Sequence, residues 1–284
     1  MNSKDINKSS NNTWLNGSPY HKVAIDDRGL LYGDSFFTTI KITDGRVEHW
    51  MLHSERLIES ARRLGFPSPD LTLIEEELQA FVQEQSDITQ SVDGVVRLTI
   101  SRGSGVRGYK APASPDVQRI LSWAPINTST TFDSGVSLSL CSTPPSLNPM
   151  LAGIKHCNRL AEVLAAEEIS ANCFDGIMSL NDKVICGTKS NIYFYLNEQW
   201  QTPKLDLAGV NGTVRRWLLN NQHYFVESDI THKDMATARY CLVSNAIVGI
   251  IPVCAIGATH YELFTGWQEL AHSYRQSAFS ECKQ

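Results

Sequence analysis

The sequence predicts a chain of mixed α and β structure (α+β or α/β) divided into two domains. Three observations lead there. Residues 52–101 pass from helical to alternating apolar periodicity. The stretch Pro125–Ser134 is polar enough to connect two folding units. Beyond it, short strand-like runs are mixed with amphipathic helical ones. The boundaries so read are residues 1–125 and residues 126–284. With 284 residues, 42% of them hydrophobic, the chain is long enough for two modest cores.

Residues Met1–Asn12 are rich in Asn, Ser and Lys and read as a disordered tail. Leu52–Leu64 is expected to be helical, with Leu57, Ile58, Ala61 and Leu64 on one face and Gly65 and Pro67 closing it. A second helix is expected from a capping box at Thr72–Glu75, which gathers Ile74, Leu78 and Phe81. Val95–Ser101 alternates as a strand, with Val96, Leu98 and Ile100 facing one way; Ile120–Ala124 is another. In the second half, Leu160–Ile169 is an amphipathic run. Asp175–Leu180 and Lys183–Cys186 flank the turn Asn181-Asp182 as in a hairpin. Ile192–Leu196, Tyr240–Ser244 and Ile250–Ile256 read as strands, and Gly212–Asn220 and Thr231–Ala238 as helices.

Composition excludes several function classes. A net charge of −5 offers no basic face for nucleic acid or an anionic membrane, so neither is expected as a partner. No apolar run approaches membrane-spanning length, and the polar N-terminus does not read as a signal peptide. Seven scattered cysteines, without a C-x-x-C pair or zinc-ligand spacing, suggest reduced thiols in a cytoplasmic protein with no metal site. The eight histidines form no readable triad.

Chemistry concentrates at Lys155, in Asn148-Pro-Met-Leu-Ala-Gly-Ile-Lys-His-Cys-Asn-Arg-Leu160. A lone lysine after an apolar, glycine-containing segment invites partial burial. Burial disfavours the ammonium and frees the amine as a nucleophile or as a partner for a carbonyl. Gly103-Ser-Gly-Val-Arg-Gly108 matches G-x-G-x-x-G after a strand. A dinucleotide site needs a helix to open there, and Tyr109-Lys-Ala-Pro-Ala-Ser-Pro115 cannot supply one in register.

The lysine segment closely resembles that of the 4-amino-4-deoxychorismate lyases, a branch of the fold-type IV pyridoxal phosphate enzymes. Similarity runs from about Trp14 to about Val253. It implies a two-domain, D-amino-acid aminotransferase-like fold with the cofactor at the domain interface, and a homodimer. By the same resemblance Lys155 carries pyridoxal 5'-phosphate. Arg56, in His53-Ser-Glu-Arg-Leu57, falls on the cofactor phosphate, with the turn at Val210 and Asn211 and the segment Val243-Ser-Asn245-Ala246. A loop entering a helix suits that task, because its free N–H groups bind anions. Asp27-Arg-Gly-Leu-Leu-Tyr-Gly-Asp-Ser-Phe-Phe-Thr38-Thr39 is similar to the family's N-terminal signature, with the lyase's threonine pair in place of Glu-Gly. It implies that Thr39 faces the cofactor and relays a proton, with Thr38 beside the substrate. Ser101-Arg102-Gly-Ser-Gly-Val-Arg107-Gly-Tyr109 implies that Arg102, Arg107 and Tyr109 meet a small-molecule substrate bearing carboxylates.

One position departs from the pattern. Val184-Ile-Cys186-Gly-Thr-Lys-Ser-Asn-Ile-Tyr193 places Cys186 where the family carries a glutamate paired to the pyridine nitrogen. A carboxylate keeps that nitrogen protonated, a neutral thiol does so less well, and a thiolate partly replaces it. Either the enzyme works with a weaker electron sink, or activity has decayed while the fold persists. The activity implied is release of pyruvate from 4-amino-4-deoxychorismate, leaving 4-aminobenzoate for folate synthesis. The alternatives are an aminotransferase of branched-chain or D-amino acids and a catalytically silent cofactor-binding protein.

Overall fold

The computed structural model describes residues 12–20, 22–126 and 130–279, so the tail expected at the N-terminus lies, apart from Asn12, outside the described residues. Contacts divide the chain into two units. One comprises Met1–Thr128 together with Lys155–Asn158, the other Ser129–Ile154 together with Arg159–Gln284.

The first unit contains β1 (Thr13–Leu15), β2 (Ser18–Pro19), α1 (Arg28–Tyr32), β3 (Ser35–Thr43), β4 (Arg46–Val47), α2 (Trp50–Leu64), α3 (Leu71–Thr89), β5 (Gly94–Ser101) and β6 (Gln118–Pro125). Its strands form an antiparallel sheet in the order β2-β1-β6-β5-β3-β4. Strand alternation sends Phe36, Thr38, Ile40 and Ile42 to one face, beside Val96, Leu98 and Ile100 of β5, and all are buried. The other face carries Phe37 and Thr39, opposite Thr99 and Arg97.

Helix α2 packs on β3 and stops at Gly65, whose φ of +65° is the left-handed cap a glycine adopts without strain. Its buried face differs from the expected one. Ile58 is exposed, while His53, Arg56 and Ser60 are buried with Leu57 and Ala61. A hydrophobic count rotates this helix wrongly because polar side chains occupy its inner face. In α3, Ile74, Leu78 and Phe81 are buried together. Its start is also corrected: Asp70, not Thr72, caps it by accepting from Leu73 N at 3.1 Å.

The second unit contains β7 (Val136–Leu140), α4 (Leu160–Ala166), β8 (Asp175–Leu180), β9 (Lys183–Gly187), β10 (Asn191–Leu196), β11 (Gln199–Pro203), α5 (Thr213–Asn221), β12 (Phe225–Ser228), α6 (His232–Thr237), β13 (Cys241–Asn245), β14 (Gly249–Ile256), β15 (Thr259–His260) and α7 (Trp267–Ser277). A mixed sheet runs β12-β11-β10-β13-β14-β7-β8-β9, with β15 added to β14. Its core gathers Leu138, Ile177, Val184, Phe194, Val243 and Val253. Helix α5 packs on β13 and α7 on β14. The run expected to be amphipathic to Ile169 is helical only to Ala166, and its Leu160, Val163 and Leu164 are exposed. No helix among the described residues is long and apolar enough to cross a membrane.

Candidate active site

Lys155 lies on a short extended segment bonded to the first half of β3. Phe37 N donates to Lys155 O at 2.9 Å, Cys157 N donates to Ser35 O at 3.0 Å, and His156 bridges Phe36. This fixes the half-buried side chain, whose Nζ lies 4.6 Å from the Phe37 ring centroid. The same ring carries the Arg97 guanidinium at 3.5 Å. Arg97 Nε donates to Thr99 Oγ1 at 3.2 Å and Nη2 to Cys157 Sγ at 3.8 Å, leaving Nη1 without a partner among the described residues. Thr39 is half-buried opposite Arg97 in the ladder. An amine, a guanidinium and a hydroxyl therefore share one sheet face. Sequence reasoning missed Arg97. The available signal was that it alone is charged in the β5 run, on the side away from Val96, Leu98 and Ile100.

The neighbouring threonine serves the opposite face. Thr38 is fully buried; its Oγ1 accepts from Arg56 Nη1 at 3.1 Å and stands 2.6 Å from His53 Nδ1. Arginine only donates, so Thr38 Oγ1 is the acceptor towards Arg56, while the direction of its bond with His53 depends on the imidazole tautomer. The expectation that Thr38 meets substrate is corrected accordingly, because its hydroxyl is committed to orienting Arg56.

Arg102 is corrected too. It is buried over the Phe66 ring at 3.8 Å. Its Nε donates to Asp34 Oδ2 at 2.7 Å, and Nη1 and Nη2 donate to Gly65 O and Leu64 O at 2.9 and 2.8 Å. The carbonyls that close α2 occupy the fork expected for a substrate. Arg107 and Tyr109, by contrast, are exposed on the loop that follows.

In the second unit, Asn191 Nδ2 donates to Val210 O at 2.9 Å and packs so close to Gly212 that no Cβ fits there. Asn211 N donates to Gly153 O at 3.0 Å, so this N–H is committed within the protein, a correction to the expected anion contact. The N–H groups of Gly212, Thr213 and Val214, at the start of α5, have no partner among the described residues. Thr213 Oγ1 is buried there and likewise unpartnered. A buried hydroxyl beside three unsatisfied N–H groups suits a phosphate oxygen. On the adjoining β13, the Ser244 hydroxyl bonds Tyr193 Oη at 2.8 Å, and burial raises the Tyr193 phenol well above its ordinary range. Asn245 Oδ1 accepts from Ile247 N and Val248 N at 2.9 and 3.0 Å, while Ala246 N has no partner among the described residues.

Cys186 is buried on β9 with Ile185 and Ala208. The turn that leads from it to Asn191 is organised by the fully buried Asp175. Asp175 Oδ1 accepts from Gly176 N at 2.8 Å and Thr188 Oγ1 at 2.6 Å; Oδ2 accepts from Ser190 Oγ at 2.5 Å.

Comparison with known proteins gives this arrangement a family. The chain is 34% identical over 262 residues to the aminodeoxychorismate lyase of Vibrio harveyi, covering 86% of this chain and 91% of that protein. It is 28% identical to the D-alanine aminotransferase of Bacillus licheniformis, covering 82% and 83% of the two. The crystal structure of 4-amino-4-deoxychorismate lyase from Pseudomonas aeruginosa superposes with a TM-score of 0.86 at 33% identity, over 93% of this chain and 98% of that one. The architecture is the mixed α/β fold of the fold-type IV aminotransferases. With the profile of class IV amino-transferases matched over residues 35–256, the chain belongs to that family.

Proposed function

We propose that the chain is a pyridoxal phosphate-dependent lyase that converts 4-amino-4-deoxychorismate to 4-aminobenzoate and pyruvate, acting as a cytoplasmic homodimer. The observation that carries this reading is the shared Phe37 ring, which places the Lys155 amine and the Arg97 guanidinium on one face. Substrate and product are both carboxylates, and Arg97 Nη1 is available to one. Similarity to the lyases of Vibrio harveyi and Pseudomonas aeruginosa supports the choice of reaction within the family.

The cofactor, when bound, supplies an electron sink for the substrate carbon that bears the amine. Lys155 would hold it through its amine, and that amine would serve as the base for the proton on the same carbon. Thr39, on the same face, relays a proton to the departing fragment. Arg56, held in direction by Thr38, would offer its guanidinium to the cofactor phosphate. In the second unit, the Thr213 hydroxyl and the N–H groups that open α5 are suited to a phosphate oxygen. The turn Val210-Asn211 holds that helix start in place, and Asn245-Ala246 adds a further N–H. Cys186 would be the residue that faces the pyridine nitrogen. Arg107 and Tyr109 reach the substrate from their exposed loop. Aromatisation of the product supplies much of the driving force, so a weak partner at the ring nitrogen is tolerable.

The test is to add aminodeoxychorismate to the cofactor-loaded protein and follow 4-aminobenzoate and pyruvate together. Equal formation of both is expected. Amine transfer to a 2-oxo acid with no 4-aminobenzoate would favour an aminotransferase. Borohydride should fix the cofactor to the peptide containing Lys155, and labelling of another lysine would overturn the assignment of the site.

A further inference from the structure

We infer that Arg28 is a positioning residue for the loop that carries Arg107 and Tyr109. The kinetic consequence rests on the reading of those two side chains as substrate contacts. Arg28 opens α1 and is 4% exposed. Each of its guanidinium nitrogens meets an acceptor. Nε donates to Asp34 Oδ2 at 2.9 Å, Nη2 to Tyr109 O at 2.7 Å, and Nη1 to Gly108 O at 3.0 Å and Lys110 O at 3.5 Å. Three consecutive carbonyls therefore converge on one buried side chain.

The loop needs such a centre. Between β5 and β6 it forms no helix or named strand, only the bridge from Ser104 to Asp27, so its carbonyls have no ladder to join. It winds around Arg28 from its start: Arg28 N donates to Gly103 O at 2.9 Å, and a Cβ at Gly105 would sit 3.0 Å from Arg28 Cδ. With the carbonyls turned inward, the Arg107 and Tyr109 side chains are exposed. Tyr32 meets the Tyr109 ring edge-on at 5.4 Å and lies 5.0 Å from the Arg28 guanidinium, bracing the same side.

Asp34 sets the direction of the clamp. Its Oδ2 is shared by Arg28 and Arg102, so one carboxylate balances the guanidinium that holds the loop and the one that closes α2. A lysine at position 28 would keep the charge beside Asp34 but lack the planar fork that reaches several carbonyls. Loss of the clamp frees the loop without touching Lys155, so its cost falls on substrate capture.

The experiment compares the holoenzyme of wild type, Arg28→Gln, Arg28→Lys and Arg107→Ala. It reads limited tryptic cleavage after Arg107 and Lys110 together with KM and kcat. Arg28→Gln is expected to be cleaved about tenfold faster and to raise KM about tenfold, as Arg107→Ala does, with kcat within about twofold. Arg28→Lys should be intermediate, and it carries the test if the glutamine variant does not fold. Cleavage at the wild-type rate in the Arg28 variants overturns the inference. So does a fall in kcat at unchanged KM, which marks a merely structural residue. Unchanged KM in Arg107→Ala with faster cleavage in Arg28→Gln upholds the clamp and removes Arg107 from the substrate site.

Discussion

Single residues decide how this chain departs from its family and where it responds to acid. Cys186 draws attention through resemblance, because it stands five positions before Asn191 in a run where the family carries a glutamate. Arg102 was misjudged for the converse reason: an arginine in a glycine-rich segment carries no mark of the carbonyls it will meet in the fold. Restoring a carboxylate with Cys186→Glu should raise transaminase side activity more than lyase activity, since aromatisation already helps the lyase. The ratio of the two rates in wild type and variant checks this, and an unchanged ratio removes Cys186 from the ring nitrogen. His49 supplies a second expectation. It is buried before α2 with φ of +51°, and burial, then the charge of Lys41, lowers its pKa from 6.5 to about 4. The unfolded chain then binds this proton more readily than the folded one. Stability is complete above about pH 6.5 and declines as pH falls towards 4, by about 3 kcal/mol in all. Asparagine tolerates the left-handed backbone and does not titrate. Melting temperatures at about pH 7 and pH 4.5 should therefore fall more in wild type than in His49→Asn, and equal falls would exclude His49 as the cause.

Among the elements, the strands were the more legible. Val96, Leu98 and Ile100 alternate cleanly because one face of β5 is apolar and the other is not. Helix α2 was placed correctly but rotated wrongly, since the polar side chains of His53, Arg56 and Ser60 lie on its inner face. At α5 the sequence indicated an anion-binding helix start. Which groups remain unpaired there depends on Gly153, a partner distant in sequence. The phosphate contacts proposed on α2 and on α5 are tested by two predictions of different form. Arg56→Ala should weaken cofactor binding by about 1.5–3 kcal/mol, roughly tenfold to a hundredfold, when measured by titration of the visible absorbance. Thr213→Val removes a buried hydroxyl that lacks a partner, so the cofactor-free protein should melt at a higher temperature while cofactor affinity drops. If both quantities fall together, Thr213 supports the fold and does not touch the phosphate.

At the scale of the whole molecule, the polar stretch Pro125–Ser134 was the sequence's reason to expect two units, whereas nothing in it signalled the excursion of Lys155–Asn158 into the first contact unit. Four residues of a loop carry no periodicity; only the edge of β3 that receives them reveals their place. The proposed dimer has its support in α4, where Leu160, Val163 and Leu164 form an exposed i, i+3, i+4 stripe. The protein should sediment as a dimer, and Val163→Glu should shift it towards monomer; a fully active monomer would exclude this assembly. The pairing of Lys155 with Phe37 also has a consequence for biosynthesis. On the ribosome, β3 emerges early, yet the bonds at Ser35 and Phe37 on this edge must wait until Lys155–Cys157 leaves the exit tunnel. Until then the nascent chain displays an open strand edge beside two phenylalanines, a template for unwanted pairing between growing chains. The segment that carries Lys155 is thus also the late-arriving cover that ends this exposure.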